Sequence, residues 1–416
     1  MGVVMVANIF NTPDAKNAGV VEYTDKYFLR AYEILKKDGL NPFVRAQVFV
    51  RKGPGIISGM DEAISFILNN SDLIKNGGRI YTLSDGETYS PLETILMIEG
   101  RILDIVRLET VYLGIISSAL AIKNDKRKLD FKQIENNMKQ IVAAAGGRPV
   151  TYFGARHWHY SEDENISRAA IAGGAAGAAT DAGAQFVGQK GVGTIPHALE
   201  NIYAWRDGKE NAVLNSTLAF DKYMPEDIKR IALIDYNNRE INDTLQVARL
   251  VPSLFSIRVD TCGENIAQGA LSLADLAGKS KEKKDQIIRQ FFNLPATVPI
   301  EIPPEDEIYW FGTGVSISEV YAIRKALNDN GFSHIQIMLS SGFGKIEKVN
   351  AFSAAEKMLN MKLYDSLGVG GIYESRDATM DIVAVGNSLT EMVPVSKVGR
   401  TEHPNPRLKL IQIQSE

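Results

Sequence analysis

Pro149-Val150-Thr151-Tyr152-Phe153-Gly154-Ala155-Arg156-His157 is the stretch that decides the architecture. Its first five residues form a short run with little polar alternation, the pattern of a strand buried on both faces, and strands of that kind belong to parallel sheets. The run then breaks at glycine and ends in two basic residues. In a (β/α) barrel the residues just after each strand gather at one end and build the functional site. The nonapeptide therefore holds a predicted barrel strand and its candidate site residues together.

The same rhythm continues outward toward the C-terminus. Apolar runs recur at Gln185–Val187, Ile231–Ile234, Phe255–Val259, Ile308–Phe311, Ile335–Leu339 and Val369–Ile372, with helical segments between most of them. Seven such runs predict an α/β protein built on an irregular (β/α) barrel that need not close completely. Ser167–Ala184 is rich in Ala and Gly, which lets a helix approach its neighbour closely. Ser280–Asp285 reads as an exposed charged helix or loop, and Pro295–Pro304, with four prolines, as an irregular connection.

Upstream of the barrel the pattern is mixed. Thr24 is a candidate cap for a helix over Asp25–Lys37, where Tyr27, Ala31, Ile34 and Leu35 fall at helical spacing and Gly39 ends the run. Phe43–Val50 and Arg79–Leu83 are predicted strands. Met60–Asn69, most of Pro91–Ala121, and Lys132–Ala145 are predicted helices.

Composition narrows the function classes. The chain has 416 residues, 45% hydrophobic, and a net charge of −4 with no basic stripe, which argues against a nucleic-acid partner. Its single cysteine, Cys262, excludes an internal disulfide and a four-cysteine zinc site. It reads as a small core residue in a reducing, cytoplasmic setting. Met1–Asn11 lacks the basic flank of a secretory signal. Thr110–Ile122 is too short and too interrupted to span a membrane, so a buried helix is expected.

The residues that follow the apolar runs point to one anionic, oxygen-rich ligand. They are Arg156 and His157, Thr194 to His197, Asp235, Arg258 with Asp260 and Thr261, Gly312 to Gly314, Ser340 to Gly342, and Gly368 to Gly371. Late glycine loops of a barrel are the usual place for a phosphate, where backbone N–H groups and a helix N-terminus converge. His197 is the most informative residue. Pro196 suits the start of a helix running through His197 toward Trp205. The positive end of the helix dipole would lower the imidazole pKa and favour a neutral, nucleophilic ring. A packed structural histidine explains the spacing equally well. His157 and His159 lack a third ligand, so no metal site is read from them. His334 and His403 are expected to face solvent.

In order, Asp25-Lys26-Tyr27-Phe28-Leu29-Arg30, Ile98-Glu99-Gly100, Glu109-Thr110, Phe153-Gly154-Ala155-Arg156, Gly193-Thr194-Ile195-Pro196-His197-Ala198-Leu199, Arg258-Val259-Asp260-Thr261, Gly314-Val315-Ser316-Ile317, Gly342 and Gly368-Val369-Gly370 resemble the motifs of nicotinate phosphoribosyltransferases, especially their shorter archaeal-like branch. The resemblance implies an N-terminal α/β domain over residues 1–148, a catalytic barrel over 149–374 and a C-terminal segment, 375–416, that returns to the N-terminal domain. It implies a homodimer with shared active sites, the segment around Asp25 and Tyr27 entering the partner's barrel. It also implies an ATP-coupled enzyme, formally a ligase, that joins nicotinate to 5-phosphoribosyl 1-pyrophosphate with Mg2+ carried by the pyrophosphate.

The roles implied are specific. Tyr27 and Phe153 would sandwich the pyridine ring. Arg156 would sit near the carboxylate and phosphates, and Arg258 and Asp260 would contact ribose and pyrophosphate. Gly314, Ser341, Gly342, Gly368 and Gly370 would hold the phosphoribosyl group, with Thr194 and Asp235 joining the substrate-binding set. His197, Arg156 and Asp260 form the implied catalytic set, and His197 is the histidine that ATP would phosphorylate. The sequence departs from the family pattern at His157 (often a second arginine), at Tyr236 after Asp235 (usually threonine), at Phe343 after Ser341-Gly342 (usually glycine), and in the longer Gly263–Pro304. At Ala179 nicotinamide users carry an aspartate and nicotinate users often a serine. Loss of the aspartate disfavours nicotinamide. Quinolinate or nicotinamide transfer, or a non-catalytic sugar-phosphate binder on the same fold, stand as the alternatives.

Overall fold

The computed structural model describes residues 3–6 and 18–413. Apart from strand Val3–Val6, the Met1–Asn11 stretch read for a signal lies outside the described residues. The predicted barrel is present as a curled sheet of six parallel strands, in the order Gly177–Ala178, Val150–Tyr152, Ser366–Val369, Gln336–Leu339, Leu254–Val259 and Arg230–Leu233. Its first and last strands do not pair, so the barrel is open on one side.

Two of the seven predicted barrel strands are not strands, and the last, predicted over Val369–Ile372, lies earlier, at Ser366–Val369. Residues 308–311 belong to a short helix, Glu307–Phe311. Four apolar residues cannot distinguish strand from helix by periodicity alone. Here Pro303, Pro304 and three acidic residues ahead of the run supply helix-start signals, and Trp310 and Phe311 pack on Phe292. Gln185–Val187 is a single 3-10 turn whose Phe186 is half exposed. The sixth sheet strand is instead Gly177–Ala178, inside the Ala/Gly-rich stretch, which has no side-chain pattern to announce it.

The second layer is a seven-stranded sheet ordered Val3–Val6, Lys409–Ile413, Arg79–Thr82, Thr94–Arg101, Phe43–Val50, Ala378–Gly386 and Val393–Pro394. Ala378–Gly386 pairs antiparallel with Phe43–Val50 from Ala378 opposite Val50 to Gly386 opposite Phe43. The C-terminal segment thus completes the N-terminal sheet. Thr94–Arg101, expected to be helical, is a central strand. Apolar side chains on both of its faces are buried, which removes the alternation that would have marked it.

Helices Lys26–Lys37, Met60–Asn69 and Phe131–Ala144 lie within a residue of their predicted spans. Thr24 does not cap the first of these: its hydroxyl donates to the carbonyls of Val20 and Arg107, and Asp25 holds the cap position. Glu109–Asp125 is the buried helix expected over 110–122. Lys281–Phe291 is the exposed charged helix. Close packing in the Ala/Gly stretch is real: a Cβ on Gly173 would lie 2.4 Å from the Glu135 carbonyl oxygen. One apolar cluster fills the barrel and its outer helices. Another fills the space under the N-terminal sheet and takes in Ile195, Leu199 and Ile202, so the helix bearing His197 is seated on that layer.

Candidate functional site

The C-terminal ends of the barrel strands open into one cavity of about 780 Å³, roofed by strand Ala378–Gly386 and the chain around residue 397. Phe153 and Arg156 reach it because strand Val150–Tyr152 breaks into the 3-10 turn Ala155–His157. Helix His197–Asp207 starts at the cavity wall with Pro196 in the cap position, so His197 is its first residue. Strand Leu254–Val259 supplies Arg258 from within and Asp260 just beyond its end.

After Gln336–Leu339 the chain turns sharply before helix Ile346–Leu359. Gly342 takes φ +82° there, and Ser341 takes φ +69°, a conformation that costs an L-residue about 1–2 kcal/mol. The Lys348 ammonium, pushed down to about 8 by burial, donates to the Ser341 carbonyl and holds the turn. Gly368 is required by close approach: a Cβ there would lie 2.5 Å from the Phe153 ring.

Tyr27, Phe153, Arg156, His197, Arg258, Asp260, Ser341, Gly342, Gly368 and Gly370, all singled out from sequence, line this cavity together. Asp235 stands behind His197, 1% exposed. Thr194 is buried with an unpartnered hydroxyl, and Gly314 lies against Gly263 and Thr261; neither is on the cavity wall. Tyr27 reaches the cavity of its own chain, where the resemblance implied the partner's. The Lys26 backbone N–H donates to Ala179 O (2.9 Å) and its ammonium pairs with Asp181 (2.6 Å), anchoring this segment on its own barrel. Ala179 is likewise buried and off the cavity wall.

The electrostatics centre on His197. Its Nε2 lies 3.0 Å from Asp235 Oδ1. The other Asp235 oxygen pairs with Lys397, whose ammonium also donates to the Asp260 carbonyl (3.2 Å). Burial would raise the Asp235 pKa, but Lys397 and His197 outweigh it and hold the carboxyl ionised, far below its usual range. Burial first, and Lys397 next, push His197 below its ordinary value. Asp260 accepts from Ser340 Oγ (2.8 Å) and faces Arg258 at 3.9 Å. Donor atoms of His197, Asp235 and Asp260 lie within 4.8 Å of one another, but the Lys397 ammonium already brings positive charge to Asp235.

At the other end Arg156 faces Glu109 at 3.4 Å, and burial raises Glu109 to about 8 and nearby Asp25 to about 6. His157 lines the cavity beside Gly370, whereas His159 turns away to Glu62 and Ser161. Cys262 is buried and His334 exposed, as expected; His403 is half-buried, its Nδ1 meeting the Leu92 carbonyl.

Sequence reasoning missed Lys397, Glu109 as a cavity residue, Lys345 and Arg51. Glu109 had a signal, since it opens a quoted motif. Lys397 had none: it follows Pro394-Val395-Ser396 in an irregular tail and reaches the site only because the chain returns.

Comparison with known proteins bears on the fold and on the N-terminal segment. The family model described as quinolinate phosphoribosyl transferase, N-terminal domain, matches residues 25–120. A nicotinate phosphoribosyltransferase of Mycobacterium tuberculosis is 30% identical over 131 residues, a stretch that spans 32% of this chain and only 27% of that relative. The solved nicotinate phosphoribosyltransferase of Porphyromonas gingivalis superposes with a TM-score of 0.56 at 14% identity, covering 93% of this chain and 96% of that one. The Vibrio cholerae nicotinate phosphoribosyltransferase gives 0.56 at 13% identity, covering 93% and 90%. At these identities the two structures speak for the fold. Among the described residues no helix is long and apolar enough to cross a membrane. The matched N-terminal segment, the local relative and the shared fold make this chain similar to nicotinate phosphoribosyltransferases.

Proposed function

We propose that this chain transfers phosphoribosyl from 5-phosphoribosyl 1-pyrophosphate to the ring nitrogen of nicotinate, in salvage toward NAD, with ATP hydrolysis coupled through His197. One observation carries the reading: Arg156, His197, Arg258 and Asp260 share a single cavity whose far wall is the 341–342 and 368–371 turns. An aromatic slot, an arginine beside it, and turns with free backbone N–H groups suit a planar acid next to a sugar phosphate.

The chemistry asks little of a base. The pyridine nitrogen has a free lone pair, so it forms the N–C1 bond as the C1–O bond to pyrophosphate breaks. The residues have to hold the two reactants in line and neutralise the leaving group. Tyr27 and Phe153 hold the ring, Arg156 meets its carboxylate, and the 341–342 turn at the start of helix Ile346–Leu359 takes the 5-phosphate. Arg258 meets the departing pyrophosphate. Asp260, on the cavity wall, faces the ribose and pyrophosphate, and a magnesium ion carried by the pyrophosphate would add positive charge to the leaving group. In the coupled step an imidazole nitrogen of His197 bonds the γ-phosphorus of ATP as ADP leaves, at a helix N-terminus that favours the added negative charge. A cytoplasmic homodimer completes the proposal, and light scattering tests the dimer.

The purified chain is incubated with 5-phosphoribosyl 1-pyrophosphate and nicotinate, with and without ATP, and products are read by mass spectrometry. Nicotinate mononucleotide and pyrophosphate are expected, formed faster with ATP. Product from quinolinate but not nicotinate would move the assignment to that acid. Calorimetric binding of the sugar phosphate with no product from any pyridine would leave a binding protein.

A further inference from the structure

The C-terminal segment puts a buried cation beside the one histidine the proposed reaction modifies. Lys397 is 162 residues from Asp235 in the chain, yet its ammonium pairs with the Asp235 carboxylate and donates to Asp260 O. Only 5% of the Lys397 side chain and none of the Asp235 side chain is exposed. The placement is built on both sides. The Val398 N–H donates to Tyr236 O at 2.9 Å, and the Val398 carbonyl accepts from Asn265 at 3.1 Å.

We propose that Lys397 is a positioning residue that keeps His197 uncharged, acting through Asp235. Charge accounting gives the reason. A buried carboxylate with an imidazole as its only partner draws a proton onto that imidazole, because a lone buried charge is costly and an ion pair relieves it. The Lys397 ammonium already balances Asp235, so a proton on His197 would leave the group with an excess positive charge, at a helix N-terminus that disfavours it.

The charged groups facing His197 come from four elements; besides Asp235 itself, Asp260 alone pulls against Lys397, and Arg258 stands 3.9 Å from Asp260 to offset that pull. Asp235 lies after strand Arg230–Leu233, Lys397 on the returning segment, and Asp260, tied to Ser340, after Leu254–Val259. On its own helix, Glu200 lies 4.0 Å from Nε2. It is wholly buried, neither of its oxygens has a partner, and burial pushes its pKa well up, so it keeps its own proton and adds no charge. With Asp235 ionised, Nε2–H donates to it, and the other ring nitrogen keeps a free lone pair on a ring that lines the cavity. The phosphoryl-accepting role of that ring rests on the proposed function; its protonation state does not.

The test is a pH titration of the histidine side chains in isotope-labelled full-length protein by NMR, with His197→Gln assigning the signal. His197 is expected to stay neutral to below the ordinary histidine midpoint of about 6.5. Lys397→Met, which keeps the stem and removes the charge, raises the midpoint by about one pH unit or more, roughly tenfold in proton affinity. Lys397→Arg restores it, and Glu200→Gln leaves it where it was. An unmoved midpoint in folded Lys397→Met, judged by its amide spectrum, overturns the proposal. If Lys397→Met fails to fold, Asp235→Asn decides: loss of the carboxylate lowers the midpoint further, and a raised midpoint overturns the idea. A separate arm follows label from γ-32P-ATP into His197, expected to shift to higher pH in Lys397→Met. Wild-type protein that takes no label counts against ATP coupling alone, while the titration still decides the lysine's role.

Discussion

Single side chains set the tolerances of the cavity. An added methyl at Gly368 would meet the Phe153 ring at 2.5 Å with the strand backbone unable to yield, so the ring must move. Misplacing a substrate contact by about 1 Å can cost on the order of 10²-fold. Gly368→Ala is therefore expected to lower kcat/KM for the pyridine substrate by about that factor, read by steady-state kinetics. Wild-type values would mean that Phe153 is not part of the ring slot. His197→Ala is expected to abolish the stimulation of transfer by ATP, measured as initial rates with and without the nucleotide. Equal stimulation in variant and parent would take the phosphoryl role from His197. Arg156, Arg258 and Asp260 were legible because each sits directly on or after an apolar run. Glu109 was quoted in a motif but not as a wall of the site, since only packing of its helix on the Ala155–His157 turn puts it opposite Arg156.

That packing is where elements matter. Helix Glu109–Asp125 crosses the Arg156 turn at Gly114, where a Cβ would lie 2.3 Å from the Trp158 carbonyl oxygen and 3.5 Å from that of Ala155. Backbone against backbone cannot relax cheaply. Gly114→Ala should destabilise the fold by about 1–3 kcal/mol or more and displace Arg156, so thermal unfolding and substrate affinity should fall together. A variant with the parent's unfolding curve would show that the contact is looser than drawn. Legibility followed the local pattern more than exposure, since Phe43–Val50 was read as a strand although both its faces are buried. Met60–Asn69 and Phe43–Val50 match their predicted spans, while Thr94–Arg101 and Glu307–Phe311 did not declare themselves. The first is buried on both faces, and the second is too short for its period to show.

Across the molecule several acids are buried, and this gives the fold a pH signature. Burial raises Glu109 and Glu319 to about 8 and Asp163 and Glu240 to about 7. Unfolded, such groups lose their protons near pH 4. Between that point and the folded value the folded chain binds more protons, so stability falls as pH rises. His157 and His197, shifted down, act the opposite way only below about 6.5, and Lys348, lowered to about 8, only above it. Depressed carboxylates such as Asp235 are fully ionised in both states across this window. From pH 6.5 to 8 the melting temperature should drop on the order of a few degrees. Glu319→Gln should flatten that slope, and a rising melting temperature would contradict the assignment of these protons.

The sequence alone determined that strands and helices alternate around a parallel barrel, because doubly buried strands and the glycine and polar residues at their ends are local patterns. It also marked Arg156, His197, Arg258 and Asp260, which share the cavity at the mouth of that barrel. Tertiary structure decided what no local pattern encodes. The C-terminal segment pairs with Phe43–Val50 and carries Lys397 into the Asp235–His197 pair, the Tyr27 segment docks on its own barrel, and Thr194 and Gly314 stay off the wall. A strand's period is written in a few neighbouring side chains. The charge balance at a buried histidine depends on a partner 162 residues away in the chain, as Lys397 is from Asp235, and only the folded backbone brings that partner within reach.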